Sequence, residues 1–129
     1  FGAPGVLGVY SRLLIDLNRG ADDPTLVMKL SDGAIIPGNA KADFAEIAAR
    51  IANYYRPYHD AIEREIAGAR TANIAPVIVS IHSFTPEWRG RKRPWQIGVL
   101  WDRKDGRLAR PLMDELRREG ELTVGDNQP

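Results

Sequence analysis

The chain has 129 residues, of which 43% are hydrophobic and 27% charged, a composition typical of one soluble globular domain or part of one. Its formal net charge of +1 gives no general attraction to nucleic acid or to a membrane surface, and no apolar run approaches the about 20 residues needed to cross a bilayer. Because the chain contains no cysteine, a disulfide framework, a thiolate metal site and a cysteine nucleophile are all excluded.

The first third of the chain contains two short apolar runs followed by a long polar stretch. Residues 6–9 and 13–17 predict either two buried strands or the two halves of one bent strand. Residues 20–42 show little periodicity and predict a loop. A loop of this length is often functional, and the alternative is a surface excursion with a short helical turn at residues 25–30.

A polar cluster, Asp16-Leu-Asn-Arg19, ends the second apolar run. An arginine fork can bind a carboxylate through two hydrogen bonds, and asparagine can add a neutral one. Arg12, Asn18 and Arg19 are therefore candidates for binding an acidic ligand, and Asp16 would hold one of the two forks in place if it pairs with it. The alternative is a surface ion pair at the end of a strand, which contributes little to stability.

Residues 43–69 give the clearest helix signal. Asp43 predicts an N-cap with Glu46 three residues later, and Gly68 predicts the end. Pro57 lies in the interior and should kink or split the helix. One apolar stripe runs along the predicted helix at spacings of three and four: Phe44, Ile47, Ala48, Ile51, Ala52, Tyr55, Tyr58, Ile62 and Ile66.

The second half of the chain alternates between strand and helix patterns. Residues 77–81 and 96–101 predict two core strands, residues 108–116 a second helix ending near Gly120, and residues 122–124 the start of another strand. This alternation favours an α/β domain with three layers.

His82 directly follows the first of these predicted strands, at the end where ligands bind in open α/β sheets. The next segment is rich in proline and glycine, and its residues 89–93 include four cations. His82 is a candidate metal ligand; the alternatives are a histidine that caps a strand end and a solvated loop. A catalytic zinc needs about three protein ligands, and the chain offers one good histidine, because His59 is predicted to have a surface or packing role on the long helix.

Six blocks of sequence occur in an order that is specific to one family. They are Tyr10-Ser-Arg-Leu-Leu-Ile-Asp-Leu-Asn-Arg19, Ser31-Asp-Gly-Ala-Ile-Ile-Pro-Gly-Asn39, Tyr55-Arg-Pro-Tyr-His59, Ser80-Ile-His-Ser-Phe-Thr-Pro86, Arg93-Pro-Trp-Gln-Ile-Gly-Val-Leu100 and Gly125-Asp-Asn-Gln-Pro129. Through these blocks nearly the whole chain resembles the N-formylglutamate amidohydrolase family, which is related in fold to zinc carboxypeptidases and aspartoacylases. The resemblance implies an α/β/α sandwich around a mixed sheet.

The same resemblance implies a zinc-dependent hydrolase that cleaves the amide between a small acyl group and an acidic amino acid, such as N-formyl-L-glutamate in bacterial histidine degradation. His82 is similar to the family's late zinc-ligand histidine. Asn18 and Arg19 are similar to the pair that holds the substrate carboxylate. Arg12 is similar to the residue that polarises the scissile carbonyl as an oxyanion donor, and Arg93 is expected to bind substrate in the same pocket.

The resemblance also implies that residues 1–129 are the central part of a single amidohydrolase domain. An early segment before Phe1 would supply another zinc ligand, and a late segment after Pro129 would supply the general base. We expect a cytoplasmic enzyme, because no signal segment is visible, with a small N-acyl amino acid as its partner rather than nucleic acid or a membrane. The alternative is a non-catalytic module in which residues 89–93 bind anions or nucleic acid.

Overall fold

The computed structural model describes residues 2–88 and 90–128. For Trp88 it describes the backbone and not the side chain. The chain divides into two compact units, Phe1–Val79 and Ser80–Pro129. Both units combine helix with short strands, so the chain is a mixed α/β protein, and its described strands form three two-stranded sheets. None of the described helices has the length and apolar character required to span a membrane.

The segment predicted as a long loop, residues 20–42, contains a β-hairpin and a short helix. Strands β1 (Leu30–Ser31) and β2 (Ala34–Ile35) pair antiparallel, and helix α1 (Pro37–Ala40) follows. The two residues of the turn both have positive φ, 48° at Asp32 and 80° at Gly33. Positive φ at both positions defines the type I′ turn, for which Asp-Gly is a favoured pair. The prediction of a loop without regular structure was therefore wrong.

The long helix is confirmed and consists of three consecutive parts: α2 (Phe44–Arg50), a π-helical turn (Ile51–Tyr55) and α3 (Arg56–Thr71). Asp43 caps it as predicted, because its carboxylate accepts the Glu46 backbone N–H at 2.9 Å. The predicted disturbance at Pro57 takes the form of the π-helical turn. Proline has no N–H to continue the ladder of hydrogen bonds, and the wider turn just before it changes the register of those bonds.

The long helix continues beyond Gly68, the predicted stop, and ends three residues later at Thr71. Asn73 adopts a φ of 57°, and its N–H donates to the carbonyl of Arg70. The N–H of Ile74 donates to the carbonyl of Ala69. These two bonds and the left-handed residue form a Schellman motif, in which asparagine replaces the more common glycine.

The core of the first unit lies between the long helix and residues 13–28. Ile15, Leu26 and Val27 are buried, and the inward face of the helix packs against them. Beside this apolar cluster lie two buried polar residues, Asn39 and Arg50. Their side chains hydrogen-bond to each other at 2.7 Å, from Arg50 Nη1 to Asn39 Oδ1.

Asn39 and Arg50 together satisfy backbone carbonyls from three segments. The Asn39 amide donates to the carbonyls of Leu13 and Met28 at 2.7 and 2.8 Å. The Arg50 guanidinium donates to the carbonyl of Leu14 at 2.8 Å and to that of Gly38 at 3.2 Å. Because these carbonyls have no strand partner there, the two side chains replace a sheet in satisfying them.

Three strand predictions were wrong. Residues 6–9, 13–17 and 77–81 form no strand in the structure. Residues 13–17 are partly buried but form turns, beginning with a hydrogen bond from Leu14 N to the carbonyl of Ser11. The apolar side chains of residues 77–81 are exposed, from 58% at Val79 to 90% at Ile81. An apolar run becomes a strand only when a neighbouring strand accepts its backbone hydrogen bonds, and no described strand does so here.

The second unit contains a hairpin and a βαβ unit. Strands β3 (Glu87–Trp88) and β4 (Arg91–Lys92) pair antiparallel. Strand β5 (Ile97–Val99), helix α4 (Ala109–Arg118) and strand β6 (Val124–Asp126) follow, and β5 pairs with β6 in parallel. This confirms the predicted strand–helix–strand order, with each strand shorter than or shifted from the predicted range. Gly120 ends α4 with a φ of 75°, as predicted.

The Asn39–Arg50 pair gives the first testable prediction. Replacing Asn39 with alanine leaves two buried carbonyls and one guanidinium N–H without partners. We expect the free energy of unfolding of the full-length protein to fall by about 2–4 kcal/mol. Urea unfolding followed by circular dichroism measures this change. Asn53→Ala is the matched control, because Asn53 is an exposed residue of the π-helical turn. Equal stabilities of the two variants would contradict the structural role of Asn39.

Candidate functional site

A buried carboxylate, Asp16, organises the polar cluster predicted from the sequence. Asp16 is only 4% exposed. Its Oδ2 accepts a hydrogen bond from Arg12 Nη2 at 2.8 Å and lies 3.7 Å from Arg19 Nε. Its Oδ1 accepts the backbone N–H of Asn18 at 3.1 Å. The structure thus brings Arg12, Asn18 and Arg19 together around one carboxylate, and it forms the pairing of Asp16 with an arginine that the sequence suggested.

Arg19 has a second acidic neighbour. Its Nη1 lies 3.7 Å from Asp23 Oδ2. The hydroxyl and the backbone N–H of Thr25 both donate to Asp23, and together with the smaller effect of the Arg19 charge they lower the pKa of Asp23 below its ordinary value. Asp23 therefore keeps its negative charge under all but acidic conditions, and Arg19 lies between two carboxylates.

The outer ends of the three candidate side chains face solvent. The side chain of Arg12 is 62% exposed and that of Arg19 is 45% exposed, and Asn18 is also exposed. A guanidinium has five N–H donors in a fixed plane. Within the part of the chain that the structure describes, the bond to Asp16 is the one hydrogen bond that the Arg12 side chain makes. The arrangement offers two cations and one amide to an anionic ligand above a buried anion that fixes them.

The long helix holds the same turn from the other side. The Tyr55 hydroxyl donates to the carbonyl of Arg19 at 2.8 Å. His59 Nε2 lies 3.2 Å from the carbonyl of Leu17, close enough to donate a hydrogen bond. His59 was predicted to have a surface or packing role, and the contact with Leu17 shows a more specific one. The sequence signal is a pair of polar-tipped rings four residues apart, which places them on one helix face.

His82 belongs to the second unit, and the structure places it in an exposed segment without regular secondary structure rather than at the end of a strand. The predicted strand end was wrong for the reason given above, the absence of a described pairing strand. Its Nδ1 lies 3.1 Å from the carbonyl oxygen of Ser83. When Nδ1 donates to that carbonyl, Nε2 presents the lone pair that a metal ion needs.

Arg93 lies against the segment that follows His82. Its Nη1 donates to the carbonyl of Thr85 at 2.5 Å, and its guanidinium lies 5.2 Å from the centre of the Phe84 ring. The backbone N–H of Arg93 donates to the carbonyl of Pro86. These contacts tie Arg93 to residues 84–86.

Two residues of the cationic segment 89–93 belong to the β3–β4 hairpin. Arg91 and Lys92 make up β4 and are exposed, and Gly90 before them has a φ of 76°. Arg89 lies outside the described residues. The binding of anions or nucleic acid by this segment stays a prediction.

Within residues 2–88 and 90–128, no three histidine, aspartate or glutamate side chains are grouped so that they could hold a metal ion. A catalytic zinc site normally uses three such ligands. The described residues therefore do not form a complete zinc site by themselves, and the role of His82 as a zinc ligand stays a prediction.

The Asp16 cluster gives the second prediction. Asp16→Ala in the full-length protein removes the charged acceptor of the Asn18 N–H, so we expect hydrogen exchange at that amide to accelerate about tenfold or more. Amide exchange measured by NMR tests this. Asp22→Ala is the control, because Asp22 is exposed in the same segment. Unchanged exchange at Asn18 in the Asp16 variant would show that the carboxylate does not fix the turn.

The chain is similar to known proteins over nearly its whole length. The profile of N-formylglutamate amidohydrolase matches residues 1–129. The crystal structure of gene product Atu2144 from Agrobacterium tumefaciens is similar, with 40% sequence identity and a TM-score of 0.82. The match covers 93% of this chain and 47% of that chain, so this chain spans about half the length of that protein. None of the curated proteins matches the chain. Because the family profile matches every residue, the chain belongs to the N-formylglutamate amidohydrolase family.

Proposed function

We propose that the protein hydrolyses the amide of N-formyl-L-glutamate, or of a similar N-acyl acidic amino acid, with zinc as its metal. Water adds across the amide bond, so the acyl carbon leaves as formate or another acid and the nitrogen leaves with the free amino acid. The observation that supports this best is the Asp16 cluster, in which two arginines and one asparagine are fixed together and exposed. Such a cluster suits a substrate with carboxylates.

The proposal assigns the substrate carboxylate to Asn18 and Arg19. An arginine fork gives a carboxylate two parallel charge-assisted hydrogen bonds, and the asparagine amide adds a third donor. Asp16 and Asp23 flank the Arg19 guanidinium, and both lie 3.7 Å from it. At that distance they hold the fork without forming the short hydrogen bonds that would compete fully with a substrate.

The proposal assigns the scissile carbonyl to Arg12. As water attacks, negative charge develops on the carbonyl oxygen, and a fixed cation lowers the energy of that state more than the energy of the neutral amide. Arg12 is bound to buried Asp16 through Nη2 at 2.8 Å, which fixes its orientation. We propose that Arg93, held against Thr85, also binds substrate.

His82 would hold the zinc through Nε2, as one ligand of the site. When bound, zinc would activate a water molecule as the nucleophile at neutral pH. In this proposal the remaining ligands and a glutamate general base belong to segments before and after residues 1–129, and the intact protein forms a three-layer α/β/α domain of which this chain is the central part. We further propose that it works in the bacterial cytoplasm, in histidine degradation.

The assignment of Arg19 gives the third prediction. Arg19→Ala in the full-length protein should raise KM for N-formyl-L-glutamate about 10- to 100-fold, because a charged hydrogen bond to the substrate is lost, while kcat changes less than about threefold. Initial rates of formate release over a range of substrate concentrations measure both constants. Arg64→Ala is the control for the loss of one charge, because Arg64 is exposed on α3. A KM equal to that of the control would exclude Arg19 from carboxylate binding.

The assignment of His82 gives the fourth prediction. His82→Ala in the full-length protein should reduce the zinc content from about one ion per chain to a small fraction of that, and formate release by more than about 100-fold. Elemental analysis of the purified protein and the formate assay measure these effects. Ser83→Ala keeps the backbone carbonyl that faces His82 and is the control. Wild-type zinc content and rate in the His82 variant would remove His82 from the metal site.

A further inference from the structure

We propose that Tyr55 and His59 are positioning residues for substrate binding: they hold the backbone of residues 17–19 so that Asn18 and Arg19 point at the substrate carboxylate. This inference rests on the part of the proposed function that gives Asn18 and Arg19 this role. Neither Tyr55 nor His59 touches the substrate in this account, because each acts through a backbone carbonyl.

The two contacts bracket the binding residues along the chain. Tyr55 donates its hydroxyl to the carbonyl of Arg19, and His59 Nε2 lies within hydrogen-bond distance of the carbonyl of Leu17. These contacts hold the peptide planes of residues 17–18 and 19–20, one on each side of the Asn18–Arg19 pair. From the opposite side, Asp16 accepts the Asn18 N–H with its carboxylate and the Arg19 N–H with its backbone carbonyl at 3.1 Å.

The helix that supplies both groups is itself unusual at this point. Tyr55 is the last residue of the π-helical turn, and His59 lies one turn into α3. Their rings are tilted against each other with centres 4.1 Å apart, and the Tyr58 ring meets His59 edge-on at 5.2 Å. A π-helical turn costs helix regularity and is frequent at functional sites. Here its last residue, Tyr55, contacts the turn that presents Asn18 and Arg19.

The physical effect of these contacts is to fix the base of two exposed side chains. Asn18 and Arg19 must stay exposed to meet a ligand, so they cannot be ordered by burial. Hydrogen bonds to their backbone order them instead, which reduces the conformational entropy that binding would otherwise remove. The contribution should therefore appear in substrate affinity.

Tyr55→Phe in the full-length protein tests the proposal, because it removes one oxygen and keeps the ring that packs on His59. We expect KM for N-formyl-L-glutamate to rise about three- to tenfold, the equivalent of one net hydrogen bond, with kcat within about twofold of wild type. A matched substrate in which carboxamides replace the carboxylates should show no change in KM. A merely structural role would instead lower the active fraction, and hence the apparent kcat, for both substrates.

Tyr58→Phe is the matched control. Tyr58 is half-buried on the same helix face, and its hydroxyl makes no hydrogen bond with any described residue. We expect its kinetics to equal those of wild type.

Two variants test His59. His59→Phe should raise KM as Tyr55→Phe does, whereas His59→Gln, whose side chain can donate a hydrogen bond from a similar position, should keep most of the affinity. A glutamine variant no better than phenylalanine would exclude the hydrogen bond to Leu17 as the cause.

A double-mutant cycle shows whether Tyr55 acts through the binding pair. In the Arg19→Ala background, the effect of Tyr55→Phe on KM should shrink to less than about twofold, because the group being positioned is gone. An undiminished effect would overturn the proposal. Normal hydrolysis with an unchanged KM in Tyr55→Phe would overturn the positioning role and leave the proposed function standing.

If the wild-type protein releases no formate, calorimetric titration with glutarate as the probe tests the positioning role separately from the proposed hydrolysis. Weaker glutarate binding by Tyr55→Phe than by Tyr58→Phe would then support the positioning role while the proposed reaction fails. Equal glutarate binding by these two variants, or no glutarate binding by wild type, would overturn the positioning role as well.

Discussion

The hydrogen bond between Arg50 and Asn39 is the constraint on which the first unit depends. Residues 11–28 contain few regular backbone partners, so their buried carbonyls have to be satisfied by side chains. Asn39 and Arg50 accomplish this for three of those carbonyls and also bind that of Gly38. Glu46 completes the network by accepting a hydrogen bond from Arg50 Nε at 2.8 Å. Such a fully satisfied polar network favours one arrangement of the chain, because any other would leave buried donors or acceptors unpaired.

Side chains also hold irregular backbone between the core and the candidate site. Arg50 and Asn39 hold residues 13 and 14, Asp16 holds the residues that follow, and Tyr55 and His59 hold residues 17–19. Each support comes from a side chain and ends on the backbone of an irregular segment. Irregular segments are common binding sites because they can present exposed side chains, but they need a rigid framework to do so. The long helix provides that framework.

The sequence predicted best what local interactions determine. The Asp43 cap, the long helix, helix α4 and its end at Gly120 depend on residues within a few positions of one another, and all are confirmed. The strands predicted at residues 6–9, 13–17 and 77–81 were wrong because a strand depends on a distant partner that an apolar run does not reveal. The Asp32-Gly33 hairpin was missed although its turn signal is local. The signal for this hairpin is the Asp-Gly pair of a type I′ turn, and a search for apolar periodicity does not detect such a pair.

The grouping of three polar side chains around Asp16 was predictable from the sequence, whereas the contacts from the long helix were not. Arg12, Asn18 and Arg19 followed from residue chemistry and from the family resemblance, and the structure gathers them around Asp16. The spacing of Tyr55 and His59 predicts that they share a helix face, but it does not reveal the backbone carbonyls 36 and 42 positions away that they contact. Their ring bodies resemble packing residues, and only their polar tips distinguish them. A polar-tipped ring at the edge of an apolar stripe is therefore best judged by the irregular segment that it faces, since such a segment has carbonyls in need of donors.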